Sequence, residues 1–237
     1  MSRKLLIPIV AVAALAVLGG GGAYVYYFSG LRTAPPSLAL SSPTASASSA
    51  ASAGTGAWTI SAGSLAGYRV KEQFVGQSSV HEAVARTSDV TGQVSIAQSG
   101  TTYQLTSATV AVRLGSLASV DQVAGYNVTN RDRIVQGSLG VSSFPTAVFV
   151  AQPVTLPAGV ETGQTVNVTV PGKLTIHGVA RDVTANLQLR VSGTTAQIAG
   201  TIATNMTDFG ISPPSIGFTT VQPAVTIEVS LNLTQGA

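Results

Sequence analysis

The residues able to do chemistry in this chain are few and scattered. There are two histidines, His81 and His177, and no cysteine. The histidines fall in unrelated segments, with no His-x-x-x-His spacing, no Gly-x-Ser-x-Gly elbow and no phosphate-binding glycine loop. A metal centre needs His and carboxylates brought together, and the nine acidic residues are sparse along the sequence. The reading is therefore of a protein that is not an enzyme, with no catalytic residue, no metal and no cofactor. The triplet Arg131-Asp132-Arg133 has two readings. As an exposed charged pair fixing a loop it contributes about 0–1 kcal/mol. As a binding element, Arg131 or Arg133 can grip a phosphate-bearing head bidentately through its guanidinium.

The elements that must position these residues are strands. Val166, Val168, Val170, Leu174 and Ile176 share one parity; after a turn, Val183, Ala185, Leu187, Leu189 and Val191 share another. Alternate strand residues point to opposite faces, so each segment has one dry and one wet side. Further strands are expected at 58–60, 67–75, 90–97, 103–114, 147–151, 196–203 and 225–233. Ser192-Gly193-Thr194 reads as a hairpin turn. A short helix is expected around Val128–Val135, lying across one end of the sheet. So many strands joined by Gly, Ser and Thr turns make a sandwich or a barrel. About eight strands leave an interior that is either filled or able to hold one ligand. His177, beside Gly178 at a strand end, reads as a hydrogen-bonded turn residue or as a contact at the rim.

Composition divides the chain into an anchor (residues 1–32), a Ser/Ala/Pro-rich spacer (33–56) and a β domain (57–237). Leu5 to Phe28 carries no charge. At about 1.5 Å per helical residue this stretch reaches roughly 36 Å, enough for a hydrocarbon core of about 30 Å. Arg3 and Lys4 precede it, which places the N-terminus in the cytoplasm and the β domain outside a cell membrane. The alternative is a signal peptide cleaved near Ala23, giving a secreted protein. The spacer is too poor in apolar residues to fold alone. Of the 12 Lys and Arg, Arg3, Lys4 and Arg32 precede the domain, so nine remain against nine acidic residues. A neutral domain is not a nucleic-acid binder, which would carry a basic patch. The oligomeric state is not legible.

Three segments add a resemblance: Leu174-Thr175-Ile176-His177-Gly178-Val179, Asn130-Arg131-Asp132-Arg133 followed by Ser143-Phe144-Pro145, and Met206-Thr207-Asp208-Phe209-Gly210-Ile211. In this order, opening with Trp58-Thr59-Ile60, the chain resembles the YceI-like family of bacterial extracytoplasmic proteins over roughly Ala57 to Thr234. It departs where the family often has His-Ser after the opening Trp; here Gly63-Ser64-Leu65 stands. The resemblance implies a closed antiparallel, lipocalin-like β-barrel that binds a long isoprenoid or another amphiphilic lipid. The candidate wall residues are then Phe74, Val148, Val150, Val168, Leu174, Ile176, Leu187 and Phe209, the last as a plug at one barrel end, with Arg131, Arg133 and His177 at the headgroup or rim. The competing expectation is a packed barrel without ligand, serving envelope interactions or a stress response.

Overall fold

The computed structural model describes residues 34–42, 54–75, 80–123, 127–216 and 219–236. The expected membrane segment, residues 5–28, lies outside the described residues. Among the described residues no helix is long and apolar enough to cross a membrane.

The strands are β1 (Gly56–Ile60), β2 (Leu65–Phe74), β3 (Val80–Thr87), β4 (Val90–Ser99), β5 (Thr102–Arg113) and β6 (Ala118–Ser119). Helix α1 (Val128–Ser138) follows, then β7 (Thr146–Ala151), β8 (Val154–Thr155), β9 (Val166–Ile176) and β10 (Val179–Ser192). The chain ends with β11 (Thr195–Asn205), β12 (Ser215–Ile216) and β13 (Thr219–Gln235). Strand β1 pairs with both β4 and β13. The order β1-β4-β5-β7-β9-β10-β11-β13 therefore returns to its start, closing an antiparallel barrel of eight strands. Closure leaves those strands no free edge.

One end of the barrel is built differently. There β2 takes over from β1 along β13, and β3 runs beside β2. Strand β3 does not pair with β5; it pairs with the two-residue β6. Helix α1 packs against β6 and lies over this end. Its first turn is capped by Asn127, whose side chain accepts from the Thr129 amide at 3.0 Å. Residues Arg131, Ile134, Val135 and Ser138 form its inner stripe, the i, i+3, i+4, i+7 spacing of one helical face.

The β9–β10 hairpin turns through His177 and Gly178, whose φ values are 53° and 73°. Two consecutive positive φ values give the twist that joins antiparallel strands through a two-residue loop. A Cβ on Gly178 would come within 2.6 Å of the Phe144 ring. The hairpin expected at Ser192-Gly193-Thr194 joins β10 to β11, with Ser192 opposite Thr195.

Two sequence expectations meet a different structure. Strand β3 was not anticipated: His81 faces inwards while Val84 faces outwards, which breaks the alternation. Residues 34–42, expected to belong to a flexible spacer, lie along the outside of the barrel. Arg69 Nη2 donates to Pro35 O at 2.5 Å, Arg86 Nη2 to Pro36 O at 2.5 Å, and Arg190 Nη2 to Ser41 O at 2.5 Å. The Leu38 amide donates to Glu228 Oε2 at 3.1 Å. Val84, on the outer face of β3 between Glu82 and Arg86, is fully buried.

Candidate functional site: an apolar lumen with one polar end

The interior of the barrel is hollow. A cavity of about 300 Å³ runs from Trp58 and Leu233 at one end to Phe209 and the inner stripe of α1 at the other. That size lies at the lower edge of the range for small-molecule pockets, about 300–1,000 Å³. Its wall is almost wholly aliphatic and aromatic. Leu187, Ile198, Ile227 and Val229 line it yet are only half-buried. Their accessible surface faces the void, because no opposing side chain fills it.

Of the wall residues expected from sequence, Phe74, Val168, Leu174, Ile176, Leu187 and Phe209 line the lumen. Val148 and Val150 do not. In β7 the lining residues are Ala147, Phe149 and Ala151, and Val150 is 47% exposed. Ala147-Val148-Phe149-Val150-Ala151 is apolar on both parities, so alternation carried no information about which side faced in. Pairing decides it: Phe149 lies opposite Leu174 on β9, and both point into the lumen. Phe209, in a 3-10 turn (Met206–Phe209), is buried with Leu174 and Ile211 and closes one end.

The expected rim residues separate. Arg133 is exposed on α1. His177 stays in its turn, with Nδ1 3.4 Å from Phe209 O and its ring edge-on to Phe144 at 5.0 Å; it is not among the lumen-lining residues. Arg131 goes inside. Its partner is not the adjacent Asp132, which instead accepts from the Ser119 amide at 3.0 Å. Arg131 Nη1 donates to Glu72 Oε1 at 3.0 Å, Nη2 donates to Asp121 Oδ1, and Nε donates to Ser119 Oγ at 3.2 Å. His81 Nε2 lies 2.7 Å from Asp121 Oδ2 and 3.9 Å from Glu72 Oε1. All four residues of this network are buried, at the end where β3 pairs with β2 and β6.

The two carboxyls diverge because their surroundings differ. Burial opposes ionisation of Asp121, yet hydrogen bonds from His81, the Val84 amide and Arg131 outweigh it and hold the group below the usual carboxylate range. Glu72 has one strong partner, and burial pushes it above that range despite Arg131. Burial likewise opposes the charge on Arg131, but Asp121 and Glu72 keep it firmly cationic. Burial also raises the Tyr68 hydroxyl, which borders the same end.

Sequence reasoning missed this network. The ligand atoms of Glu72, His81 and Asp121 lie within 4.8 Å of one another, a grouping that could hold a metal ion. Arg131 already supplies a positive charge to both carboxylates, so an ion there would have to displace the guanidinium. Glu72 opposite His81 across β2–β3 is a local signal. Asp121 and Arg131 reach the site only through the fold.

A hollow, apolar antiparallel barrel with a helical cap defines a lipocalin-like fold. Residues 58–233 match the YceI-like domain, and the chain belongs to that family. Among solved structures, a polyisoprenoid binding domain from Saccharophagus degradans, implicated in plant cell wall breakdown, is similar. It has 14% identity and a TM-score of 0.53, covering 76% of this chain and 98% of that one. BcnA from Burkholderia cenocepacia is 21% identical, covering 70% of this chain and 95% of its own, with a TM-score of 0.47. A Campylobacter jejuni YCEI protein is 14% identical over 71% of this chain and 86% of its own, with a TM-score of 0.42. No curated protein sequence matches the chain significantly.

Proposed function

We propose that this protein holds a long apolar chain, a polyisoprenoid or similar amphiphile, in its lumen, and does so outside the cytoplasm while tethered to the membrane through residues 5–28. The observation that carries the reading is the unfilled, aliphatic cavity running between Trp58 and α1. A dry wall of this kind rewards burial of a hydrocarbon by about 0.8 kcal/mol per methylene. It contacts the chain without directional bonds, so selection is by length and girth along most of the lumen. The similar polyisoprenoid binding domain from Saccharophagus degradans supports the same class of cargo.

The tether has a geometric consequence. With residues 34–42 docked on the barrel, only residues 29–33 separate the apolar stretch from the strap. Five residues span at most about 17 Å. The outer wall formed by β2, β3 and β13 is thereby kept close to the bilayer, a short path for a lipid cargo.

Native mass spectrometry of the full chain purified from membranes tests the cargo. The expected result is co-purified lipid, or uptake of added isoprenoid. A chain that is always empty and takes up none defeats the proposal. A pair of substitutions locates the cargo. Leu187→Trp, at a wall position still accessible from the void, should block uptake with little loss of stability. Leu174→Trp, packed against Phe209 and Ile211, should overpack and destabilise by about 1–3 kcal/mol.

A further inference from the structure

We infer that the polar end of the lumen receives an uncharged hydroxyl head and rejects a phosphate; this rests on the cargo reading above. The first observation is charge. Among the described residues lining the cavity, Glu72 and Arg131 are the charged ones, and they are paired with each other. Every nitrogen of Arg131 already has an acceptor: Ser119 Oγ, Glu72 and Asp121. Two carboxylates face one guanidinium and one imidazole, so the network has no surplus of positive charge. A phosphate entering here would find no spare cation. It would be buried unpaired beside a carboxylate, which costs far more than burying a hydroxyl. Sequence left Arg131 or Arg133 open to gripping a phosphate, beside the reading as a loop-fixing charged pair; the partners of Arg131 take that role away from it.

The second observation is a vacant hydrogen-bonding group. Thr219 is 5% exposed and lines the cavity, and among the described residues its Oγ1 has no hydrogen-bond partner. Buried hydroxyls are rarely left unpaired. Thr219 lies opposite Phe74 on β2, two residues from Glu72 and on the same inward face. Diagonal neighbours on adjacent strands lie within roughly 7–8 Å. A terminal alcohol placed between them can accept from Thr219 Oγ1 and donate to the Glu72 carboxylate. Its hydrocarbon tail then runs down the apolar wall towards Trp58.

The experiment compares three probes of one chain length on the full protein in detergent: a polyprenol, its monophosphate and a headless polyisoprenoid hydrocarbon. Dissociation constants come from native mass spectrometry. The polyprenol should bind at least about tenfold more tightly than the monophosphate. Thr219→Val, nearly isosteric, should weaken the polyprenol about three- to tenfold, the worth of one hydrogen bond, and leave the hydrocarbon unchanged. Thr219→Ser should restore the polyprenol. A monophosphate that binds as well as the alcohol overturns the inference while leaving the carrier standing, as does a Thr219→Val variant with unaltered polyprenol affinity. Binding of none of the three overturns the carrier reading and this inference with it. Equal melting temperatures of the variants separate lost binding from lost folding.

Discussion

Strands β2 and β3 carry two charged clusters back to back, and they do different things. The inner one joins Glu72, His81, Asp121 and Arg131. The outer one joins Arg69, Arg86, Glu82 and Glu228: Arg69 Nε and Arg86 Nε each donate to Glu228 at 2.8 Å, and Arg69 Nη1 donates to Glu82 at 2.6 Å. Both are close to neutral, and each fastens a segment distant in sequence. The inner cluster fastens α1 over the lumen; the outer fastens residues 34–42 to the wall. They differ in surroundings. The inner groups sit between a helix and an apolar void, whereas Glu82 is 40% exposed in its side chain, so water reaches part of the outer set. A broken pair should therefore hurt more inside than outside.

The largest expected effect comes from Arg131→Met. It strands two buried carboxylates and should cost about 3–5 kcal/mol, read as a fall in the denaturation midpoint with faster hydrogen exchange throughout α1. Glu228→Gln leaves Arg69 and Arg86 facing the carbonyls of Pro35 and Pro36. It should cost less, about 1–3 kcal/mol. An equal or greater loss for Glu228→Gln would erase the distinction between the two sides.

Acid sharpens the comparison. Asp121 and Glu228 are both held below the usual carboxylate range, each against the opposing effect of burial. Their contributions are complete above about pH 4 and are lost as pH falls through the depressed values. Glu72 has the opposite sign: raised in the folded state, it favours folding more as it takes up a proton. Stability measured by urea midpoint should fall below about pH 4. The fall should be shallower in Glu228→Gln, whereas Glu72→Gln should abolish the gain in stability that acidification gives above about pH 4.

The smallest effect belongs to the strap. Replacing residues 34–42 with Gly and Ser keeps the backbone groups that Arg69, Arg86 and Glu228 bind but removes the proline restraint and the side-chain cover of the segment. It should lower stability by about 1 kcal/mol and open the segment to protease while the barrel survives. No change in protease sensitivity would mean that the backbone contacts with the outer cluster hold the segment without help from its side chains.

The sequence by itself determined the class of fold and most of the lumen. Alternation with a period of two is a local property of each strand, so Val168, Leu174, Ile176 and Leu187 could be assigned to the inner face without coordinates. The helix near residue 128 and the turn at His177 were legible for the same reason. Tertiary structure alone decided three things. Strand β7 is apolar on both sides, so only its pairing with β9 showed that Phe149, and not Val148 or Val150, faces inwards. Strand β3 lies between the two charged clusters, so its polar His81 points in and its apolar Val84 points out, and it hid from any pattern. Arg131, read either as part of an exposed loop-fixing pair or as a grip on a phosphate, is claimed by Glu72 and Asp121. Period and parity act within a strand, whereas a charge is satisfied by whatever the closed sheet brings against it.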